Sequence, residues 1–276
     1  MTNKYLIVAS LCLLTIANSG NAARQRITLA PQPGVYSKAD IQKEILFGRE
    51  IAAIILGDRK LSTDGELNRY LNLVGHSIVR HTNRPELEYS FAAVDSSEIN
   101  AYAVPGGYIF VTTAALGMMQ NEAELAAVLA HEIAHVSERH IVRALDIRAD
   151  DESMTAIVSK IVGSTAESAS VIFYQAVDHA LALLFDKGLT VEEEYDADMQ
   201  GLYLTAFAGY DPTAYPRFLE RISAVVESRR RELGNTHPPF SERINRLEKI
   251  IETEGLSGLG NSKNEKRFGQ YLPTGG

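Results

Sequence analysis

The chain has 276 residues, of which 45% are hydrophobic, and it carries a formal net charge of −8 at pH 7. This length and composition predict a folded protein with a sizeable core and exclude a chain that is mainly disordered. The negative charge argues against nucleic acid and against anionic lipid surfaces as partners.

Residues 1–22 have the pattern of a secretory signal peptide. Lys4 gives a positive start, an apolar run follows over Leu6–Ile16, and small residues precede Ala23. The apolar run is shorter than the roughly 20 residues that a membrane-spanning helix needs, so we expect an exported protein that is not an integral membrane protein. Cys12, the only cysteine, lies inside the signal, and the exported chain therefore cannot depend on disulfides.

Hydrophobic spacing predicts two helices followed by a small sheet in the first half of the chain. The helices cover residues 38–56 and roughly 64–82. Strand-like alternation then covers 87–112, where PGG at 105–107 predicts a hairpin turn. A helix capped by Asn121 follows. The remaining predicted helices cover about 153–186, 191–208, 212–232 and 241–254.

The composition changes at the C-terminal end. Residues 256–276 are rich in Gly, Ser and Asn, and we expect them to form a flexible tail. The chain therefore divides into a signal peptide over 1–22, one domain over 23–255 and this tail.

The helix that follows the hairpin carries the pattern HEIAH at residues 131–135. His131 and His135 are one helical turn and about 40° apart around the axis, close enough to bind one ion, and two imidazoles suit zinc. Glu132 would lie beside that ion, where a carboxylate can act as a general base toward water. Residues 123–140 read as one helix, so His140, nine residues after His131, lies about 180° around the axis and points away from the site; it is not a third ligand.

A second acidic segment, VEEEYDAD, supplies the predicted third ligand. Glu194 and Asp198 are one helical turn apart and share a face. A catalytic zinc commonly takes two His and one Glu and leaves a fourth position open, and we expect Asp198 to accept the spare ring N–H of His131. Glu192 and Glu193 are the alternatives, and we choose Glu194 for its pairing with Asp198 on one face.

Five segments resemble the gluzincin zinc metallopeptidases of the HtpX and CAAX prenyl protease family, most closely its soluble periplasmic BepA-like members. The segments are LFGREIA (46–52), INAYAVPGGYIFVTTAAL (99–116), NEAELAAVLAHEIAHV (121–136), EEEYDAD (192–198) and THPPFSERINRL (236–247). The resemblance covers about residues 40–250. It implies one zinc ion per chain, held by His131, His135 and Glu194, with Glu132 as the catalytic base.

The same resemblance implies roles for four further residues. Asn100 and Ala101 match the strand beside the zinc cleft and are implied to bind substrate through main-chain hydrogen bonds. His237, in THPPF, is implied to reach the zinc from a loop as a fourth ligand or, with the loop open, to act as an oxyanion donor. Arg243 matches a recurrent arginine and is expected to support that loop or a nearby carboxylate.

The expected fold is a mainly helical α+β zincin-like metallopeptidase domain, with a small sheet and an HExxH helix. We expect a hydrolase: an exported zinc metalloendopeptidase, in the periplasm, that degrades unfolded or misassembled envelope proteins in protein quality control. The resemblance also implies contact with envelope assembly machinery. However, we find no tetratricopeptide repeats of the kind that BepA-like members carry, which puts such docking in doubt.

Two other functions stay open. A zinc-bearing chaperone or assembly factor, with a latent site closed by His237, would bind the same polypeptides without cleaving them. A structural zinc site is the weakest of the three hypotheses, because such sites usually close with cysteines and need no base such as Glu132.

Overall fold

The computed structural model describes residues 36–145, 167–228 and 238–272, so the predicted signal at 1–22 and His237 lie outside the described residues. The α-helices are α1 (Lys38–Asp58), α2 (Gly65–Val79), α3 (Thr113–Met118), α4 (Glu122–Ser137), α5 (His140–Ala144), α6 (Glu167–Ala182), α7 (Val191–Phe207), α8 (Ala214–Ser228), α9 (Phe240–Thr253) and α10 (Glu265–Tyr271). The other elements are β1 (Ser90–Val94), β2 (Ala101–Val104), β3 (Tyr108–Thr112), a π-helical turn (Leu183–Lys187) and a 3₁₀ turn (Leu256–Gly258). The expected mainly helical α+β fold is confirmed. Within the described ranges, no helix combines the length and the apolar character that crossing a membrane requires.

The three strands form one small sheet in the order β1, β3, β2. β2 and β3 are antiparallel, with Tyr102 opposite Phe110, and the predicted hairpin turn joins them. Gly106 and Gly107 occupy this turn at φ of 81° and 100°, a region that residues with a side chain rarely adopt. β1 pairs with β3 in parallel, so in the described part of the chain the outer edge of β2 has no neighbouring strand.

Helix α4 crosses the centre of the fold, and all of its 16 residues are buried. Its Ala-rich first half, EAELAAVLA, keeps the helix surface narrow, which lets α7, the sheet and α2 pack closely against it. A very close approach occurs at Gly201 of α7, where a Cβ would lie 2.9 Å from both Cα and N of His131. The missing side chain of Gly201 therefore allows α7 to bring its acidic residues up to the histidines of α4.

The C-terminal segment differs from the expected flexible tail. Over residues 256–272 the chain folds back onto the domain, and Leu256 and Phe268 are only 0% and 1% exposed. Tyr271 stacks on Tyr70 with 4.3 Å between the ring centroids. The prediction of flexibility does not hold for these residues, because an average composition does not show that the few apolar side chains fall where the domain can bury them.

A buried carboxylate ties the start of α4 to this segment. Glu122 is fully buried. Its oxygens accept hydrogen bonds from four side chains: Tyr70, Tyr210, Asn264 and Arg267. Burial alone would raise the pKa of Glu122, but Arg267 and the three other donors lower it below its usual range. The charged form of Glu122 therefore joins α2, α4 and the C-terminal segment.

Candidate metal centre

Three buried side chains bring ligand atoms to one point between α4 and α7. Nε2 of His131 lies 3.0 Å from Nε2 of His135. The carboxylate oxygens of Glu194 lie 3.8 Å from Nε2 of His131 and 3.5 Å from Nε2 of His135. The three predicted ligands are thus the residues that the structure brings together.

The spacing of these atoms fits a zinc ion. In a tetrahedral site with zinc–ligand distances of about 2.0–2.1 Å, neighbouring ligand atoms lie about 3.3 Å apart. The observed separations of 3.0, 3.5 and 3.8 Å bracket that value. Burial lowers the pKa of His131, which favours the neutral imidazole that a metal needs. Both the geometry and the ligand types therefore suit zinc, and His131, His135 and Glu194 would hold it.

Helix α7 gives the three consecutive glutamates of EEEYDAD different positions. Glu192 is exposed to solvent. Glu193 completes a capping box with Thr190, whose backbone N–H and hydroxyl both donate to its carboxylate. Of the three, only Glu194 is buried and faces the histidines. Of the three glutamates, Glu194 is therefore the one that lies where the predicted third ligand must be.

A buried carboxylate and a buried arginine support His131 from behind. Oδ1 of Asp198 lies 3.0 Å from Nδ1 of His131, the two atoms between which the sequence spacing predicts a hydrogen bond. Arg243 of α9 donates Nε and Nη2 to the two oxygens of Asp198, at 2.8 and 2.6 Å. Burial alone would raise the pKa of Asp198, but the charge and hydrogen bonds of Arg243 lower it to about 2. Arg243 was expected to support either the His237 loop or a nearby carboxylate, and in the structure it binds the carboxylate of Asp198.

Glu132 lies in a cavity beside the ligands. The cavity is also lined by His135 and Glu194, by residues of β2, and by three leucines near the π-helical turn: Leu183, Leu184 and Leu189. Burial, and then the negative charge of Glu194, raise the pKa of Glu132 to about 8. A cation among the ligands would oppose this rise and favour the carboxylate. Glu132 therefore lies next to the ligand site, where the sequence pattern predicted it.

The chain after His135 differs from the predicted continuous helix. Helix α4 ends at Ser137, and Arg139 adopts the left-handed conformation at φ 57° before α5 begins at His140. This turn brings His140 back to His135, with 2.8 Å between their Nδ1 atoms. The expectation that His140 points away was wrong, because it assumed that the helix keeps turning by about 100° per residue.

The outer edge of β2 borders the same cavity. The carbonyl of Asn100 is taken into the sheet, since it accepts from the backbone N–H of Thr112 at 3.1 Å. Because bonded partners alternate along an antiparallel strand, Ala101 and Ala103 direct their amide groups away from β3. Oδ1 of Asn100 accepts the N–H of Ala101 at 2.9 Å. The structure thus places both predicted residues in the cavity with Glu132 and adds Ala103.

Two neighbours of the ligands, Tyr215 and Asp196, were missed by sequence reasoning, and a third, His140, was considered and set aside. Tyr215 packs against His131 with 5.5 Å between the ring centroids and accepts a hydrogen bond from Arg243. No motif marks it, because its position depends on where α8 crosses α4. His140 follows HEIAH as a third histidine and Asp196 lies inside VEEEYDAD as a second aspartate, and that surplus of polar residues was the available signal.

The fold and the site together define a class of protein. Two histidines of an HExxH helix and a glutamate of a second helix meet beside a small sheet, which is the arrangement of a zincin-like metallopeptidase. The chain matches peptidase family M48 over residues 66–251 and belongs to this family. The family expected from the sequence motifs is confirmed.

Several relatives align with most of this chain. It is 29% identical over 251 residues to the beta-barrel assembly-enhancing protease of Escherichia coli (strain K12), covering 87% of this chain and 51% of that protein. It is 31% identical over 200 residues to the mitochondrial metalloendopeptidase OMA1 of Schizosaccharomyces pombe, covering 71% of this chain and 56% of that protein. The chain therefore spans about half the length of these relatives.

Proposed function

We propose that the chain is an exported zinc metalloendopeptidase whose substrates are unfolded or misassembled polypeptides of the cell envelope. The observation that carries the proposal is the placement of Glu132 in one cavity with His135, Glu194 and β2. A base, a metal centre and a strand edge that can align an extended peptide are the parts that peptide hydrolysis requires.

The proposed mechanism assigns a role to each buried polar residue. His131, His135 and Glu194 would hold zinc, which would supply Lewis-acid chemistry toward water and a carbonyl. Glu132 takes a proton from the attacking water and later gives it to the leaving amine. Asp198, held by Arg243, keeps the ring of His131 oriented so that Nε2 faces the ligand site.

The substrate would bind as an extended strand along the outer edge of β2. The outward amide groups of Ala101 and Ala103 would pair with the substrate main chain, which gives little preference for sequence. A bound strand would replace the contact between Asn100 and the N–H of Ala101. Because this mode requires an extended segment, it favours unfolded or misassembled polypeptides over folded proteins.

The names of relatives support an envelope location for this activity. Both Escherichia coli and Vibrio cholerae relatives are described as a beta-barrel assembly-enhancing protease, the latter as putative. We extend this to the present chain as action in the periplasm, with contact to envelope assembly machinery. The signal-like pattern over residues 1–22 supports export.

The test is the initial rate at which the zinc-loaded chain, from residue 23 onward, cleaves an unfolded protein. We expect Glu132→Gln, at equal zinc content, to lower this rate by about 10²–10⁴-fold, because the variant cannot accept the proton. Glu192→Gln is the matched control, since this exposed carboxylate is not among the cavity residues and its loss should leave the rate unchanged.

Two outcomes would count against the proposal. Cleavage that survives Glu132→Gln would remove Glu132 as the base. Zinc binding without cleavage by the unmodified chain would favour the chaperone or assembly factor with a latent site. In that case His237→Ala is the next variant, because a loop that closes the site through His237 should release activity when this side chain is removed.

A further inference from the structure

On the side away from the ligand site, His135 contacts a second histidine. Its Nδ1 lies 2.8 Å from Nδ1 of His140, and the two rings meet at 75°. Nε2 of His140 lies 3.3 Å from Oδ2 of Asp196 on α7. His140 is fully buried, whereas the side chain of Asp196 is 33% exposed. A single chain of polar contacts therefore runs from His135 to a carboxylate at the surface.

These contacts assign one proton to each ring. Nε2 of His135 faces the other ligand atoms and must keep its lone pair free to bind a metal. The proton of the neutral His135 ring is then on Nδ1, which donates it to Nδ1 of His140. His140 accepts on Nδ1, carries its own proton on Nε2 and donates it to Asp196. The carboxylate at the outer end thus fixes the tautomers of both rings.

An unusual turn of the backbone makes the contact possible. Arg139 adopts φ 57°, a conformation that residues other than glycine rarely take. Its side chain is buried, with Nε 2.9 Å from a carboxylate oxygen of Glu44 and the guanidinium 3.8 Å from the ring centroid of Tyr36. A continuous helix would carry His140 about 180° around the axis, away from the ligand site. The turn, which contacts Glu44 and Tyr36, therefore directs His140 toward His135.

We propose that His140 and Asp196 are positioning residues that fix the tautomer and the orientation of His135 as a metal ligand. The inference rests on the zinc site of the proposed function and gives the second histidine ligand a support of its own. Hydrogen-bonded groups behind a metal-binding histidine commonly change metal affinity by about 10–100-fold when they are removed. Loss of His140 would leave the buried Nδ1–H of His135 without this acceptor.

The test is the zinc dissociation constant, measured by competition with a chelator of known affinity. His140→Phe keeps a ring in the same space but removes the acceptor, and we expect its dissociation constant to rise about 10–100-fold. His140→Asn places a carbonyl oxygen near the position of Nδ1 and should remain closer to the unmodified protein. Asp196→Ala removes the acceptor of His140 while His135 keeps its partner, so the rise should be smaller than for His140→Phe.

The order of the zinc dissociation constants of the two His140 variants distinguishes a positioning role from packing alone. If His140 only fills space, His140→Phe will bind zinc as tightly as the unmodified protein and His140→Asn will be the weaker variant, which would overturn the inference. Thermal unfolding of the metal-free proteins shows whether each variant folds. If His140→Phe does not fold, Asp196→Ala decides: a raised dissociation constant supports the inference, and an unchanged one overturns it.

None of these measurements depends on cleavage. A chain that binds zinc in this ranking but cleaves no polypeptide would refute the proposed peptidase function and leave the positioning role intact. Conversely, a chain that cleaves through Glu132, with zinc affinities unaffected by His140→Phe and Asp196→Ala, would keep the function and remove the positioning role.

Discussion

The two histidines of the ligand set lie one turn apart on α4, but the groups behind them differ. His131 contacts the carboxylate of Asp198 directly, and this carboxylate is buried and bound by Arg243. His135 contacts another histidine, which leads to the partly exposed carboxylate of Asp196. A cation beside a buried carboxylate offsets the cost of burying its charge, whereas water stabilises an exposed carboxylate. The two supports thus differ in depth: a buried charge pair lies behind His131, and a second imidazole that leads outward lies behind His135.

Loss of Arg243, which binds Asp198 behind His131, should have the largest effect on stability. Arg243→Leu leaves the negative charge of Asp198 buried without its cation. We expect the free energy of unfolding of the metal-free protein to fall by about 3–5 kcal/mol, as measured by urea unfolding. Zinc binding should weaken as well, because Asp198 is no longer held against His131.

Arg217→Leu is the matched control for this change. Arg217 also pairs with an aspartate, Asp211, at 2.9 Å, but its side chain is 41% exposed. An exposed ion pair contributes about 0–1 kcal/mol, so the loss should be small. Similar losses for the two arginine variants would show that burial does not set the contribution of these pairs.

Gly201→Ala tests the distance between α4 and α7 with a smaller expected effect. The added Cβ would lie 2.9 Å from Cα and N of His131, so the two helices must move apart. We expect a loss of about 1–3 kcal/mol in the free energy of unfolding. Zinc affinity should also fall, because Glu194 moves away from both histidines.

Gly269→Ala, in another helix, is the control for Gly201→Ala. Nothing lies within 4 Å of a Cβ at Gly269 in α10, so Gly269→Ala should stabilise the protein slightly. Zinc affinity that is unchanged in Gly201→Ala would contradict the idea that this close approach positions Glu194. The comparison therefore separates a steric effect at the site from the general preference of helices for alanine.

Local geometry explains which parts of the site could be predicted from the sequence. His131, Glu132 and His135 share one helix, so the helical repeat alone fixes their relation. Glu194 followed from its pairing with Asp198, and the capping box that occupies Glu193 could also have been read from the sequence. Relations within one helix are set by a few neighbouring residues, and these are visible without a structure.

Relations that depend on distant parts of the chain were not visible. The turn at Arg139 is stabilised by Glu44 of α1, and a helical repeat cannot anticipate it. The position of Phe268 in the core follows from packing against the domain, although the segment around it has the composition of a tail. In both cases the conformation depends on contacts with distant residues, which the local sequence does not show.

A second buried carboxylate, that of Glu122 at the start of α4, lies away from the metal centre and can be compared with that of Asp198. Glu122, like Asp198, is bound by an arginine, but the side chain of Arg267 is 45% exposed. Glu122 also keeps hydrogen bonds from Tyr70, Tyr210 and Asn264 when this arginine is removed. Arg267→Leu should therefore lower the free energy of unfolding by less than Arg243→Leu, by about 1–3 kcal/mol.

The pH dependence of stability gives the smallest and most specific test of this contact. The pKa of Glu122 is lower in the folded chain than in the unfolded chain, so its contribution to stability is fully present above the unfolded value of about 4.3. It is lost as the pH falls through the folded value. Arg267→Leu brings the folded pKa back toward the unfolded one, so the free energy of unfolding of the metal-free variant should decline less steeply below about pH 4. Urea unfolding at a series of pH values measures both slopes, and equal slopes would contradict a role of Arg267 in keeping Glu122 charged.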